Sequence, residues 1–259
     1  MDARAGGADD AGMQVVADGM GWGVLAWVAA TFLLAGFVKG VSGMGLPTLA
    51  MALLSLQLPA AAAAALMLLP ALLTNVAQCM GPHGAQLLRR LWPLWLGLLL
   101  GTLAAPLLGL GSGLARRALG VVLVGYGLFG LARPGLPAVG AYAGWLGLLA
   151  GSVGGALSAA TGVFVMPLVP YLQALRLPRA ALIQALGISF TLASLALAVR
   201  LGADMAAPPS LLAVAVALGA AWGGMGLGAR WRERLPAAVF QRALHAVFLV
   251  LGVLMLLPR

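Results

Sequence analysis

The chain has 259 residues, of which 63% are hydrophobic and 8% charged, where a soluble domain carries about a quarter charged residues. So few charges do not cover a water-facing surface, and a mean hydropathy of +1.05 points the same way, to an all-α polytopic membrane protein. The net charge of +9 does not mark a nucleic-acid binder, because the arginines fall singly or in small groups between apolar blocks, as at membrane–water boundaries and cytoplasmic loops.

Residues 1–21 hold Asp2, Asp9, Asp10 and Asp18 against Arg4 alone. A secretory signal starts basic and then turns apolar, so this stretch reads as an uncleaved, disordered acidic tail. A spanning helix needs about 20 mostly apolar residues. Runs of that kind lie near 22–41, 60–80, 91–110, 114–132, 140–160, 179–200, 209–228 and 236–257. Two shorter apolar pieces, 46–57 and 163–175, each stop just before a Leu-Pro and read as broken or re-entrant segments. The expectation is eight full transmembrane helices plus two short ones.

The pattern occurs twice. "GFVKG" at 36–40 aligns with "GSVGG" at 151–155, "QLPAAA" at 57–62 with "RLPRAA" at 176–181, and "RALGVVLV" at 117–124 with "RALHAVFL" at 242–249. Two membrane repeats, 22–135 and 136–259, account for this. If both short pieces cross the bilayer, the repeats are inverted. Arg89, Arg90, Arg133, Arg176, Arg179, Arg230, Arg232 and Arg234 then share one side, opposite Arg4, Arg116, Arg117, Arg200 and Arg259. If the pieces are re-entrant, Arg89, Arg90 and Arg133 change sides and the bias weakens. Positive-inside counting favours inversion, and both versions put the acidic N-terminus outside.

Gly/Pro-broken helices at matching positions of two repeats are the best sequence pointer to a transporter's binding site. Here the breaks are Gly36 to Pro47, with Gly40, Gly43 and Gly45, and Gly151 to Pro167, with Gly155 and Gly162. Helix N-termini after such breaks present free N–H groups to an anion, and both downstream segments are expected to aim at a central solute. Lys39 lies inside the first break, and its counterpart is Gly154. An ammonium at this depth is a functional hypothesis by default, with snorkelling to the interface as the alternative.

Other polar groups within the apolar helices are few. Thr74, Asn75 and Gln78 share a face at about 3.6 residues per turn, as do Gln184, Thr191 and Ser194. Asn75, Gln78 and Gln184 are candidate solute ligands, because a buried amide needs several partners. Ser42, Thr48, Ser158 and Thr161 flank the breaks, with interhelical hydrogen bonding as their alternative role. All six acids lie outside the apolar spans: four in the tail, Asp204 in a connection, Glu233 in an arginine-rich loop. No membrane carboxylate relay is expected. Cys79 alone makes no disulfide or multi-cysteine metal site and reads as a packing residue. His83 in a loop and His245 at the start of the last helix do not make a metal site either. Hydrolase, zinc-protease, Walker and dinucleotide fingerprints are absent, so neither an enzyme nor a cofactor is expected.

"LLAGFVKGVSGMGLPTLAMALL" with "LPAAAAAALMLLPALLTNVAQ", and "GGALSAATGVFVMPLVPYLQALRLPRAALIQALGISF", resemble the two halves of the TauE/SafE (sulfite exporter) family of membrane transporters, over about residues 25–257. The resemblance implies a duplicated helical permease for sulfite, sulfonates or other organic anions in the inner (plasma) membrane. Its glycine motif falls on Gly36, Gly40, Gly43, Gly45 and Pro47, and again on Gly151, Gly155, Gly162 and Pro167. Leu46, Val163 and Phe164 stand where many members have glycine. The expected solute site comprises Lys39, Gly40, Ser42, Gly43, Gly45, Pro47, Thr48, Asn75, Gln78, Thr161, Gly162, Pro167 and Gln184, with rocking of the two halves giving alternating access. Expected partners are a small anionic solute and the lipid bilayer, with a homodimer left open. The competing reading is a non-transporting membrane scaffold or assembly protein.

Overall fold

The computed structural model describes residues 21–105, 113–132, 136–137, 139–204 and 209–257. The expected tail, apart from Gly21, and the loop residues Arg133 and Arg259 lie outside them. The described residues form ten α-helices and no strand. They are α1 (Trp22–Ser42), α2 (Leu46–Leu54), α3 (Ala60–Cys79), α4 (Gly84–Ala104), α5 (Gly113–Ala132), α6 (Ala143–Thr161), α7 (Leu168–Ala174), α8 (Arg179–Asp204), α9 (Leu211–Trp231) and α10 (Ala237–Leu256). Eight are long and apolar enough to cross a membrane, and α2 and α7 are the two short segments. Large side chains such as Leu33, Leu100, Leu128, Trp145, Val199, Trp222 and Val250 are exposed on the outside of the bundle, which is how a lipid-facing surface looks. By contrast α2 is buried along nearly its whole length, as expected of a helix that is apolar all round.

Three boundaries differ from the sequence expectation. Helix α4 starts at Gly84 rather than near 91, with Arg89 and Arg90 inside it and exposed; long arginine stems let a helix continue through the interface while the guanidinium stays wet. Asp204 closes α8 instead of standing in a connection. His245 lies well inside α10, its ring 5.0 Å from that of Tyr126 on α5.

Each short helix runs back along the long helix before it. The Trp27 indole on α1 donates to the Leu53 carbonyl at the far end of α2 (3.2 Å), and the Tyr171 hydroxyl on α7 donates to the Ala143 carbonyl at the start of α6 (2.7 Å). The long-helix contacts fix the remaining directions. A Cβ at Gly36 would strike the Ala221 backbone, and one at Gly40 would strike Gly228, so α1 and α9 are parallel. Gly97 meets Leu148 and Ser152 while Gly155 meets Leu98 and Thr102, so α4 and α6 are parallel too. Gly120 faces Gly252 and Gly127 faces His245, making α5 and α10 antiparallel. Gln78 meets Gly187, and Gln184 bonds Gly81, so α3 and α8 are antiparallel. With one reversal at each hairpin, these directions agree only if α2 and α7 each make a return passage. Taken in order, α1–α5 therefore run in the opposite senses to α6–α10. Arg89, Arg90, Arg179 and Arg230 lie at one face, Arg116, Arg117 and Arg200 at the other.

The closest backbone approaches join α1 to α9 and α4 to α6, and each pair draws one helix from α1–α5 and one from α6–α10. The halves are interlocked, because a glycine stripe on each helix lets its partner's backbone come close enough to exclude side chains.

Candidate functional site

The first break begins where α1 ends. Gly43 adopts φ +82° and its N–H closes the helix on the Lys39 carbonyl (2.7 Å). Gly45, at φ +98°, opens α2. Both angles lie in the left-handed region that side chains resist. Pro47 occupies the first turn of α2, where no N–H is needed, and Thr48 follows it, buried. The Ser42 hydroxyl lies 2.8 Å from both the Val38 and Met44 carbonyls and accepts from the Met44 N–H at 3.3 Å. It is committed to shaping the turn.

Lys39 is 2% exposed, so snorkelling does not describe it. Its Nζ donates to Thr74 Oγ1 (3.1 Å) and to Asn75 Oδ1, both on α3. Thr74 in turn donates to the Pro70 carbonyl (2.7 Å), which turns its lone pairs towards the amine. An ammonium has three donors, and these two oxygens take two of them. Both are neutral, and among the described residues no carboxylate bonds Lys39. Asn75 is fully buried and its Nδ2 has no partner among the described residues. One turn on, Gln78 Nε2 donates to the Gly43 carbonyl (2.8 Å), while its buried Oε1 has no partner among the described residues. Each such orphan costs about 1–3 kcal/mol. Gln78 packs on Gly187, roughly 12 Å of helix inside the start of α8, which places the cluster well within the bundle.

Two further contacts frame the cluster. Arg232, just past α9, donates through Nε (3.1 Å) and Nη2 (2.7 Å) to the Gly40 carbonyl, a cation at the C-terminal end of α1 where the helix dipole favours one. Cys79 Sγ lies 3.3 Å from Thr191 Oγ1, linking α3 to α8. The sequence puts Thr74 on one helical face with Asn75 but does not mark it as a solute ligand, and Arg232 reads in sequence only as one member of a basic loop.

The structure thus brings together Lys39, Gly40, Gly43, Asn75 and Gln78, with Ser42, Gly45, Pro47 and Thr48 shaping the adjoining turn. It does not bring Gln184 there. That side chain donates to the Cys79 (2.9 Å) and Gly81 (3.0 Å) carbonyls and accepts from the His83 N–H (3.0 Å), stapling α8 to the turn after α3. The second break is also closed on itself. Gly162 (φ +69°) bonds Ser158, and Thr161 Oγ1 donates to the Leu157 carbonyl (2.7 Å) and accepts from the Val163 N–H (3.2 Å). Pro167 caps α7, whose seven residues make too little dipole for the anion-facing end expected of it. Gly154, the counterpart of Lys39, faces Met166 and Pro167. The two breaks do touch, because Met51 of α2 packs against Gly162.

No curated protein and no solved structure matches the chain. A family model described as "Sulfite exporter TauE/SafE" matches residues 28–255, a span that takes in both breaks and all the cluster residues. Eight long apolar helices, two short return helices and that match together place the chain in the TauE/SafE sulfite exporter family of membrane transporters.

Proposed function

We propose that this protein is a secondary carrier, multi-pass in the inner (plasma) membrane, that exports a small anion of the sulfite, sulfonate or organic-acid class through a site centred on Lys39. One observation carries the reading: among the described residues, a lysine amine buried within the bundle is held only by neutral oxygens, beside an asparagine with donors to spare. Burying an unpaired charge is costly, and a bound anion supplies the missing countercharge. The uncapped start of α2 lies across the same break and adds a favourable dipole. Because α1 and α9, and α4 and α6, are interlocked across the repeats, alternating access moves these mixed pairs relative to one another. Solute gradient and membrane potential drive export, since no carboxylate serves the cluster among the described residues.

Purified protein reconstituted into proteoliposomes is expected to show saturable counterflow of sulfite or a small sulfonate. Lys39→Ala is expected to lower the rate by at least about tenfold, the loss of one charge-assisted hydrogen bond, and to abolish thermal stabilisation by the anion. Counterflow unchanged in Lys39→Ala would remove the lysine from the site. No flux or stabilisation with any anion would return weight to the scaffold reading.

A further inference from the structure

We infer that the solute is an acid monoanion, an oxyanion that still carries an O–H, and that Gln78 recognises that proton. The inference rests on the anion reading above and names its substrate class. The two amides have fixed orientations. Asn75 Oδ1 faces the Lys39 amine, so turning the amide over would set N–H against N–H. Gln78 Nε2 faces the Gly43 carbonyl, so turning it would set oxygen against oxygen. The groups left over are therefore defined: the third Lys39 N–H and the Asn75 Nδ2 as donors, and Gln78 Oε1 as an acceptor. Asn75 and Gln78 are three residues apart on α3, neighbours on one helix face.

A fully ionised oxyanion satisfies the donors but offers only lone pairs to Gln78 Oε1. A neutral alcohol satisfies Gln78 but brings no countercharge for Lys39. An oxyanion with one O–H completes both ends, its ionised oxygens on Lys39 and Asn75 and its hydroxyl on Gln78. Charge gives the same answer independently. The cluster holds one buried cation, and the equivalent position in the second repeat is Gly154. One negative charge neutralises it, whereas a dianion leaves a net charge in a poorly solvated place. Hydrogen sulfite and hydrogen phosphite have the required form.

The test measures binding to the full-length protein in lipid nanodiscs with four probes. Sulfite and phosphite are titrated through their second ionisation, methanesulfonate is a monoanion without O–H, and sulfate is a dianion. The other titratable or charged groups near the cluster are Lys39 on α1, Cys79 on α3, Arg232 after α9 and His83 beside Gln184; α8 presents Thr191. Methanesulfonate has one charge throughout the range, so its pH profile reports those protein groups alone. The expected result is sulfite and phosphite affinity, relative to methanesulfonate, falling about tenfold per pH unit above each second ionisation as the monoanion is depleted. Below it, both acids bind at least about tenfold tighter than methanesulfonate or sulfate. In Gln78→Met that preference shrinks to within about threefold. If methanesulfonate or sulfate binds the wild type as tightly as sulfite does, and Lys39→Ala abolishes it, the monoanion inference is overturned while the anion reading stands. A preference that persists in Gln78→Met also overturns it. If no probe binds, both fall. The wild-type panel decides even where Gln78→Met does not fold.

Discussion

Gln184 and Asn75 show how alike two buried amides look in a sequence and how differently they are used. Each sits in an apolar helix next to other polar residues, and the helical period places each on a polar face. What the period does not give is the neighbour across the gap. Gln184 meets the carbonyls of Cys79 and Gly81 and is fully occupied, whereas Asn75 meets a lysine and retains free donors. Gln184→Ala should therefore lower stability by about 1–3 kcal/mol, leaving the Cys79 and Gly81 carbonyls and the His83 N–H without this partner, with little change in KM. Thermal unfolding beside counterflow kinetics separates the two effects. Lys39 itself was legible as an anomaly, because charge is scarce in this chain. Its partner Thr74 was visible only as a member of a face, and Arg232 was hidden by the many arginines that merely mark the membrane boundary.

The long helices were legible because apolar length is a strong signal, and the error at α4 has a simple cause. Counting stops at a charge, but a helix does not. The breaks were legible from their glycines and prolines, yet only the first keeps a substantial helix beyond it. The angle at Gly45 (φ +98°) makes Gly45→Ala strained by about 1–2 kcal/mol, seen as a lower unfolding temperature. Packing glycines carry a different penalty. A Cβ at Gly224 would fall on the Leu33 carbonyl of α1, so Gly224→Ala should cost about 1–3 kcal/mol by forcing α1 and α9 apart. The loss should appear in thermal unfolding with Lys39 unaltered.

For the molecule as a whole, charge counting left open whether the short segments cross the bilayer, and the directions of the packed helices make each of them a return passage. Parallel neighbours far apart in the chain, such as α1 and α9, are not encoded locally, so no stretch of sequence announces them. Two outcomes follow at this scale. With Cys79 replaced by serine, a single cysteine at Glu233 should be labelled from the cytoplasmic side and one at Gly23 from the opposite side by a membrane-impermeant thiol reagent. Labelling of both from one side would overturn the topology. Native Cys79 lies 3.3 Å from the Thr191 hydroxyl, so Thr191→Cys should form a disulfide with it on oxidation. That bond would hold α3 against α8 beside the Lys39 cluster, and counterflow should stop until reductant is added.

The bond from Arg232 to the Gly40 carbonyl spans 192 positions of the chain. At the ribosome, which adds about 5–20 residues per second, roughly 10 to 40 seconds separate the two ends of that contact. The first helix thus enters the bilayer long before the helix that packs against its glycines exists. Throughout that interval its narrow stripe faces lipid or a temporary companion, with one carbonyl still waiting for its guanidinium. Nascent chains stalled before α9 should accordingly cross-link through α1 to the insertion machinery, and chains stalled after Arg232 should not.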